Sequence, residues 1–173
     1  MNKLPNKLTI KVNELENLCE LSAQNVCNKK TLSKCDLKEL GSGHYGMVKK
    51  CANTNNNEYA VKIVKNLSTI TPEKKEQEKI NLVNEAIVMI KVGDHDNIIK
   101  IMGVNVKSLV NFDYDISLLL EMCKLGSLNS QLLSIKKNNE RIDEKICHKI
   151  VFEIANGMEY LAQLNIVHND LAT

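Results

Sequence analysis

The segment Gly41-Ser42-Gly43-His44-Tyr45-Gly46-Met47-Val48, followed after a polar turn by Glu58-Tyr59-Ala60-Val61-Lys62-Ile63-Val64, constrains this chain more than any other feature. Three closely spaced glycines leave no Cβ between the backbone and a bulky anion, and they permit φ > 0 where a turn needs it. The second run is strand-like and carries one inward-facing lysine, a cation able to reach a bound phosphate. The pattern predicts strand, glycine turn, strand, polar turn, strand.

The residues after the glycines exclude two other phosphate loops. A dinucleotide-binding turn leads directly into a helix and needs an acid about 20 residues further on. Here Met47-Val48-Lys49-Lys50-Cys51 reads as a strand, and Asn53-Thr54-Asn55-Asn56-Asn57 as a turn. The position about 20 residues past Gly46 is near Asn66, not an acid. A Walker A loop needs Gly-Lys-Ser/Thr, and Gly46 is followed by Met47. A hairpin with convenient glycines and no ligand stays open on these residues alone.

Composition narrows the partners. The 173 residues suffice for one domain with its own core. Twenty-three basic residues against 21 acidic ones leave a net charge of +2, so charge gives no case for nucleic acid or a membrane surface. Arg141 is the single arginine, so a phosphate site here must rely on lysine and backbone rather than on bidentate guanidinium contacts. The six cysteines form no C-x-x-C pair, so zinc is not expected, and reduced thiols in a cytoplasmic setting are. The residues Met1-Asn2-Lys3-Leu4-Pro5-Asn6-Lys7 lack the apolar stretch of a secretory leader. No run of about 20 apolar residues predicts a transmembrane segment.

Periodicity orders the rest. Leu8, Val12, Leu15, Leu18 and Leu21 fall at helical spacing within residues 1–33, which carry no evident chemistry. Strand patterns cover Leu37 to Leu40, Met47 to Ala52 and Tyr59 to Val64. Pro72 and Glu73 open a helix with an apolar stripe Ile80, Val83, Ile87 and Ile90, ending near Gly93. Strands are expected about Ile99 to Val106 and Ile116 to Leu120. Beyond Gly126 the pattern is helical. Leu128, Leu132 and Ile135 make a short stripe. Ile142, Ile146, Ile150, Ile154, Met158 and Leu161 make a long one, with Asp143 as its N-cap. Gly157 inside that helix predicts close approach of another element.

Further positions bear on chemistry. A buried lysine needs a partner, and Glu85, beside Val83 and Ala86, is the candidate for Lys62; a solvated glutamate is the alternative. Ser117-Leu118-Leu119-Leu120 runs into Glu121-Met122-Cys123-Lys124-Leu125-Gly126, which fits a hinge whose backbone could bond a base, or equally a plain strand end. Asp170, in the extended piece His168-Asn169-Asp170-Leu171, is placed to accept a hydroxyl proton, or is simply solvated.

Together these motifs resemble the protein kinases. Gly41, Gly43, Gly46 and Val48 match their glycine-rich loop, Ala60-Val61-Lys62 their strand lysine, Glu85 their helix-C glutamate, and His168-Asn169-Asp170-Leu171 their catalytic loop with one substitution. Asp170-Leu171-Ala172 is similar to the tyrosine-kinase form of that loop. The run Leu118 to Asn129, with Glu39 to Gly43 and Val48 to Lys50, resembles the spleen tyrosine kinase (Syk) family.

The resemblance implies an α+β fold: a five-stranded antiparallel N-lobe sheet with helix C, followed by the first helices of an incomplete α-helical C-lobe. Residues 1–33 would be an extension or linker, 34–121 the N-lobe, and 122–173 the hinge and start of the C-lobe. It implies ATP and Mg2+ as cofactors and a tyrosine-bearing protein as substrate, with no nucleic acid. Gly41, Ser42, Gly43, His44, Tyr45 and Gly46 would cover the phosphates. Val48 and Ala60 would sandwich adenine, Leu120 would be the gatekeeper, and Glu121 to Cys123 the hinge. Lys62 would hold the phosphates, Glu85 would orient it, and Asp170 would be the base. Asn169 replaces the family arginine, and the family's magnesium ligands would lie beyond Thr173, so no metal ligand is expected within the chain and little turnover by it alone. The alternative is a pseudokinase-like or truncated module that binds nucleotide or partners without transfer.

Overall fold

The computed structural model describes residues 7–21, 32–42, 46–53, 56–65, 71–108, 114–169 and 171. Its elements are α1 (Lys7–Leu21), β1 (Leu32–Ser42), β2 (Gly46–Asn53), β3 (Glu58–Val64), α2 (Pro72–Val92), β4 (Ile101–Ser108), β5 (Tyr114–Glu121), α3 (Leu128–Lys137) and α4 (Glu144–Gln163). They gather into two compact units. One comprises Met1–Gly93 with Lys100–Met122, the other Asp94–Ile99 with Cys123–Thr173.

In the first unit the five strands form one sheet in the order β1-β2-β3-β5-β4, and every neighbouring pair is antiparallel. This is the expected sheet. Side chains alternate between its faces. On β3, Ala60 and Val64 face the core shared with α2, whereas Tyr59, Val61 and Ile63 face a smaller cluster with Cys51 and Leu119. Lys62, between Ala60 and Val64 in that alternation, is directed to the α2 side. On β5, Ile116, Leu118 and Leu120 enter the α2-side core while Leu119 enters the other cluster. Burial on both faces is why this strand reads as a continuous apolar run.

Cys51 is 2% exposed and disulfide-bonded, and Cys35 is the cysteine opposite it in register. The expectation of uniformly reduced thiols therefore does not hold at Cys51.

The sequence signals at the ends of α2 work as expected. Thr71 caps its start, its Oγ1 accepting from the Lys74 amide at 3.4 Å, and Pro72 opens the helix. Gly93, at φ 72, ends it and donates its N–H to the Met89 carbonyl at 3.2 Å. Leu82, Val83, Ala86, Ile87 and Ile90 are buried in the core shared with the sheet, and Ile80 is partly so. Each large aliphatic side chain buried this way contributes about 1.5–3 kcal/mol, so this face fixes the position of α2.

The helix predicted from Leu8, Val12 and Leu15 forms as α1, and all three side chains, each 1% exposed, join the same core. The side chains of Leu18 and Leu21 lie outside those described.

In the second unit, Ser127 caps α3 and Asp143 caps α4, with the Asp143 Oδ1 accepting from the Lys145 amide at 2.8 Å. The close approach expected at Gly157 is real: a Cβ there would stand 3.0 Å from the Asn97 carbonyl oxygen. Beside it, the Asn156 Nδ2 donates to the Asn97 Oδ1 at 2.7 Å, and the His95 ring stacks on Tyr160 with centroids 4.4 Å apart. The long α4 stripe is only partly buried. Leu161 is inside, but Ile146 and Ile154 are exposed. Helical periodicity gives the direction of an apolar face without a partner to cover it. No helix of the described residues is long and apolar enough to cross a membrane.

Candidate nucleotide site

Register brings the predicted residues of the first unit onto one sheet face. Val48 on β2 lies opposite Lys62 on β3, Lys62 lies opposite Leu118 on β5, and Ala60 lies opposite Leu120. Val48, Ala60 and Leu120 all pack in or against the α2-side core. From α2, Glu85 reaches the same place. The Lys62 ammonium donates to Glu85 Oε1 at 2.7 Å and to Oε2 at 2.6 Å. The structure thus brings together two residues 23 positions apart, and a freely solvated Glu85 is excluded.

The two side chains are 34% and 36% exposed. An ion pair so open to water is worth about 0.2–1 kcal/mol. It is too weak to hold a helix anchored by five buried apolar side chains, so burial of α2 places Glu85, and Glu85 in turn places the Lys62 ammonium.

A cavity of about 630 Å³ adjoins the pair, lined by Gly41, Ser42, Gly46, Val48, Lys62, Ile63, Val64, Glu78, Asn81, Leu82 and Glu85. Sequence reasoning missed Ile63, Val64, Glu78, Asn81 and Leu82. The last three precede Glu85 by seven, four and three residues, one face of a helix, and that spacing was the available signal. A Cβ on Gly41 would meet nothing within 4 Å, and one on Gly46 would make only ordinary contact with the Ile63 carbonyl at 3.7 Å. Positive φ is found at Gly93 and Gly126, not at Gly41 or Gly46. At these two positions, glycine therefore supplies room rather than an unusual backbone. Open backbone over a fixed cation fits a polyphosphate.

Gly43, His44 and Tyr45 lie outside the described residues, as does Asp170. Its neighbour Asn169 sits at φ 61, in the left-handed region that asparagine tolerates. Glu121 is tied to Lys100 by two bonds. Its amide donates to the Lys100 carbonyl at 3.0 Å, and its Oε1 accepts from the Lys100 amide at 2.7 Å. Cys123, in the second unit, is an exposed free thiol. Among the described residues no group of three His, Cys, Asp or Glu side chains could hold a metal ion.

Comparison with known proteins agrees with this geometry. The sequence model of the family described as protein tyrosine and serine/threonine kinase matches residues 35–173. The chain is 30% identical over 148 residues to tyrosine-protein kinase JAK1 of Danio rerio, covering 85% of the chain and 12% of that protein. It is 33% identical over 156 residues to tyrosine-protein kinase SYK of Gallus gallus, covering 88% and 23%. It is also 33% identical over 135 residues to serine/threonine-protein kinase SSK22 of Saccharomyces cerevisiae, covering 76% and 9%. The chain thus spans less than a quarter of the length of these relatives. The antiparallel sheet, the helix whose glutamate holds the β3 lysine, and the match over residues 35–173 have one common source: the chain belongs to the protein tyrosine and serine/threonine kinase family.

Proposed function

We propose that this chain is the ATP-binding part of a protein tyrosine kinase, which in its complete form transfers the γ-phosphoryl group of ATP to protein tyrosine. The observation that carries this reading is the Lys62–Glu85 pair beside the cavity under Gly41 and Gly46. Tyrosine rather than serine or threonine is favoured by the sequence Asp170-Leu171-Ala172 and by the similarity to two tyrosine kinases, although a serine/threonine kinase is among the relatives.

On this reading the glycine turn covers the phosphates and Lys62 holds them, with its rotamer set by Glu85. Val48 and Ala60 flank adenine, with Leu120 behind it and the Glu121 to Cys123 backbone alongside. Asp170 accepts the proton of the tyrosine hydroxyl as that oxygen bonds to the γ-phosphorus and the bond to the β,γ-bridging oxygen breaks, releasing ADP. Magnesium, when bound, neutralises charge on the β- and γ-phosphates. The step between the compact units at Met122 and Cys123 supports a division of the family domain into lobes there. A cytoplasmic location belongs to the same reading, which must accommodate the Cys51 disulfide.

Thermal melting with and without Mg-ATP tests the reading. A ligand at about 100 times its Kd adds about 2.7 kcal/mol, or roughly 5–10 °C for a chain of this size. The wild type should show that rise and Lys62→Met should lose it. No rise in either would remove ATP from the reading. A second reading, a nucleotide-binding module without transfer, is favoured by Asn169 in place of the family arginine. It predicts the same thermal shift with no phosphate incorporated into a tyrosine-bearing peptide.

A further inference from the structure

We propose that α1 is a positioning element for the Lys62–Glu85 pair, with Leu8, Val12 and Leu15 setting the rotation of α2 that points Glu85 at Lys62. The proposal rests on the reading of that pair as the phosphate-holding group.

Leu8, Val12 and Leu15 are spaced by four and three residues, one stripe of a helix, and each is 1% exposed. They share one core with Leu82, Val83, Ala86, Ile87 and Ile90 of α2, and the two helices are in contact. Ala86 directly follows Glu85, and Leu82 lies one turn before it. The packed residues therefore bracket the glutamate. An α-helix turns about 100° per residue, so a roll of α2 by a single position would swing Glu85 away from β3. The ion pair, with about a third of each side chain in water, cannot prevent such a roll, whereas burial against both the sheet and α1 can. The family match begins at residue 35, so α1 lies outside it.

Lys62 reports on the pairing without any nucleotide. A carboxylate-paired ammonium acylates slowly, so the labelling rate of Lys62 by an N-hydroxysuccinimide acetate, read by mass spectrometry on the full chain, measures how often the pair is open. Lys50 is an internal control: it pairs with Glu58 at 2.6 Å across the β2–β3 hairpin, at a similar exposure of 34%. Val12→Ala, and the milder Leu15→Val, should raise labelling of Lys62 at least about threefold and about 1.5-fold respectively, with Lys50 unchanged. In a Glu85→Gln background, where the pair is already broken, Val12→Ala should change Lys62 labelling by less than about 1.5-fold.

Unchanged labelling of Lys62 in Val12→Ala would overturn the proposal. So would an equal rise at Lys50 and Lys62, since α1 would then only stabilise the fold. A separate arm tests the underlying reading: Mg-ATP should protect Lys62 in the wild type. Absence of protection, with the Val12→Ala response intact, would sink the phosphate role and leave the positioning of Glu85 by α1 standing.

Discussion

Lys62 and Glu85 make a two-oxygen contact at 2.7 and 2.6 Å while each keeps about a third of its side chain in water. The combination separates geometry from stability. A pair this exposed contributes at most about 1 kcal/mol, so Glu85→Gln should lower the melting temperature by no more than about 4 °C. Its effect on Mg-ATP should be larger. An ammonium no longer held in place loses the equivalent of one charge-assisted contact, and affinity should fall about tenfold. Calorimetric titration and thermal melting of the same variant check both halves. A melting loss beyond about 8 °C with unchanged affinity would make the pair structural.

Much of the first unit was legible because its signals are local. Strand alternation, the Thr71-Pro72 start and the Gly93 stop of α2 each depend on residues within a few positions. Glu85 could be nominated because Val83 and Ala86 marked a buried face beside it. The rest depends on which elements meet. The stripe of Leu8, Val12 and Leu15 announced a helix, but nothing in it names α2 as the surface it covers. Periodicity likewise marked an apolar stripe along α4 without saying what covers it, and Ile146 and Ile154 on it are exposed. At the site, the glycines pointed to the phosphate end. The contributions of Glu78 and Asn81 were hidden because charged and amide side chains on a helix normally face solvent.

Gly157 tests a competition between helix propensity and packing. In an open helix Gly→Ala gains about 0.5–1 kcal/mol. Here the added methyl would stand 3.0 Å from the Asn97 carbonyl oxygen and 3.5 Å from its Cβ. Backbone cannot swing aside as a flexible side chain can, and such overpacking costs about 1–3 kcal/mol. Clash should win, so Gly157→Ala should destabilise by about 1 kcal/mol in urea unfolding. A stabilised variant would mean that the Asp94–Ile99 segment yields easily.

On α1, the Glu14 carboxyl is held below the usual carboxylate range, first by its hydrogen bond from Lys11 at 2.7 Å, with the charges of Lys11 and Lys91 adding to the effect and desolvation opposing it. The folded value is depressed, so the contribution of this group is present above its unfolded pKa and is lost as pH falls through the folded one. Lys11→Ala removes the largest cause. The Glu14 titration midpoint, followed by carboxyl carbon NMR, should move up toward the usual range. An unmoved midpoint would show that Lys11 does not hold the carboxylate in solution.

Gly41 distinguishes room kept for a ligand from room needed by the fold. It lies at the end of β1 without a positive φ, and a Cβ there would touch nothing within 4 Å. Nothing in the described structure objects to alanine, and a strand residue loses less backbone entropy as Ala than as Gly. Gly41→Ala should therefore melt at the wild-type temperature or slightly above it. The same methyl would occupy the surface that, with Ser42, Gly46 and Lys62, lines the cavity. If that surface lies against phosphate, Mg-ATP affinity should fall several-fold while stability does not, and Gly41→Val should deepen the loss. Equal affinity across Gly, Ala and Val would show that this glycine faces no ligand and would move the phosphate contacts elsewhere on the turn.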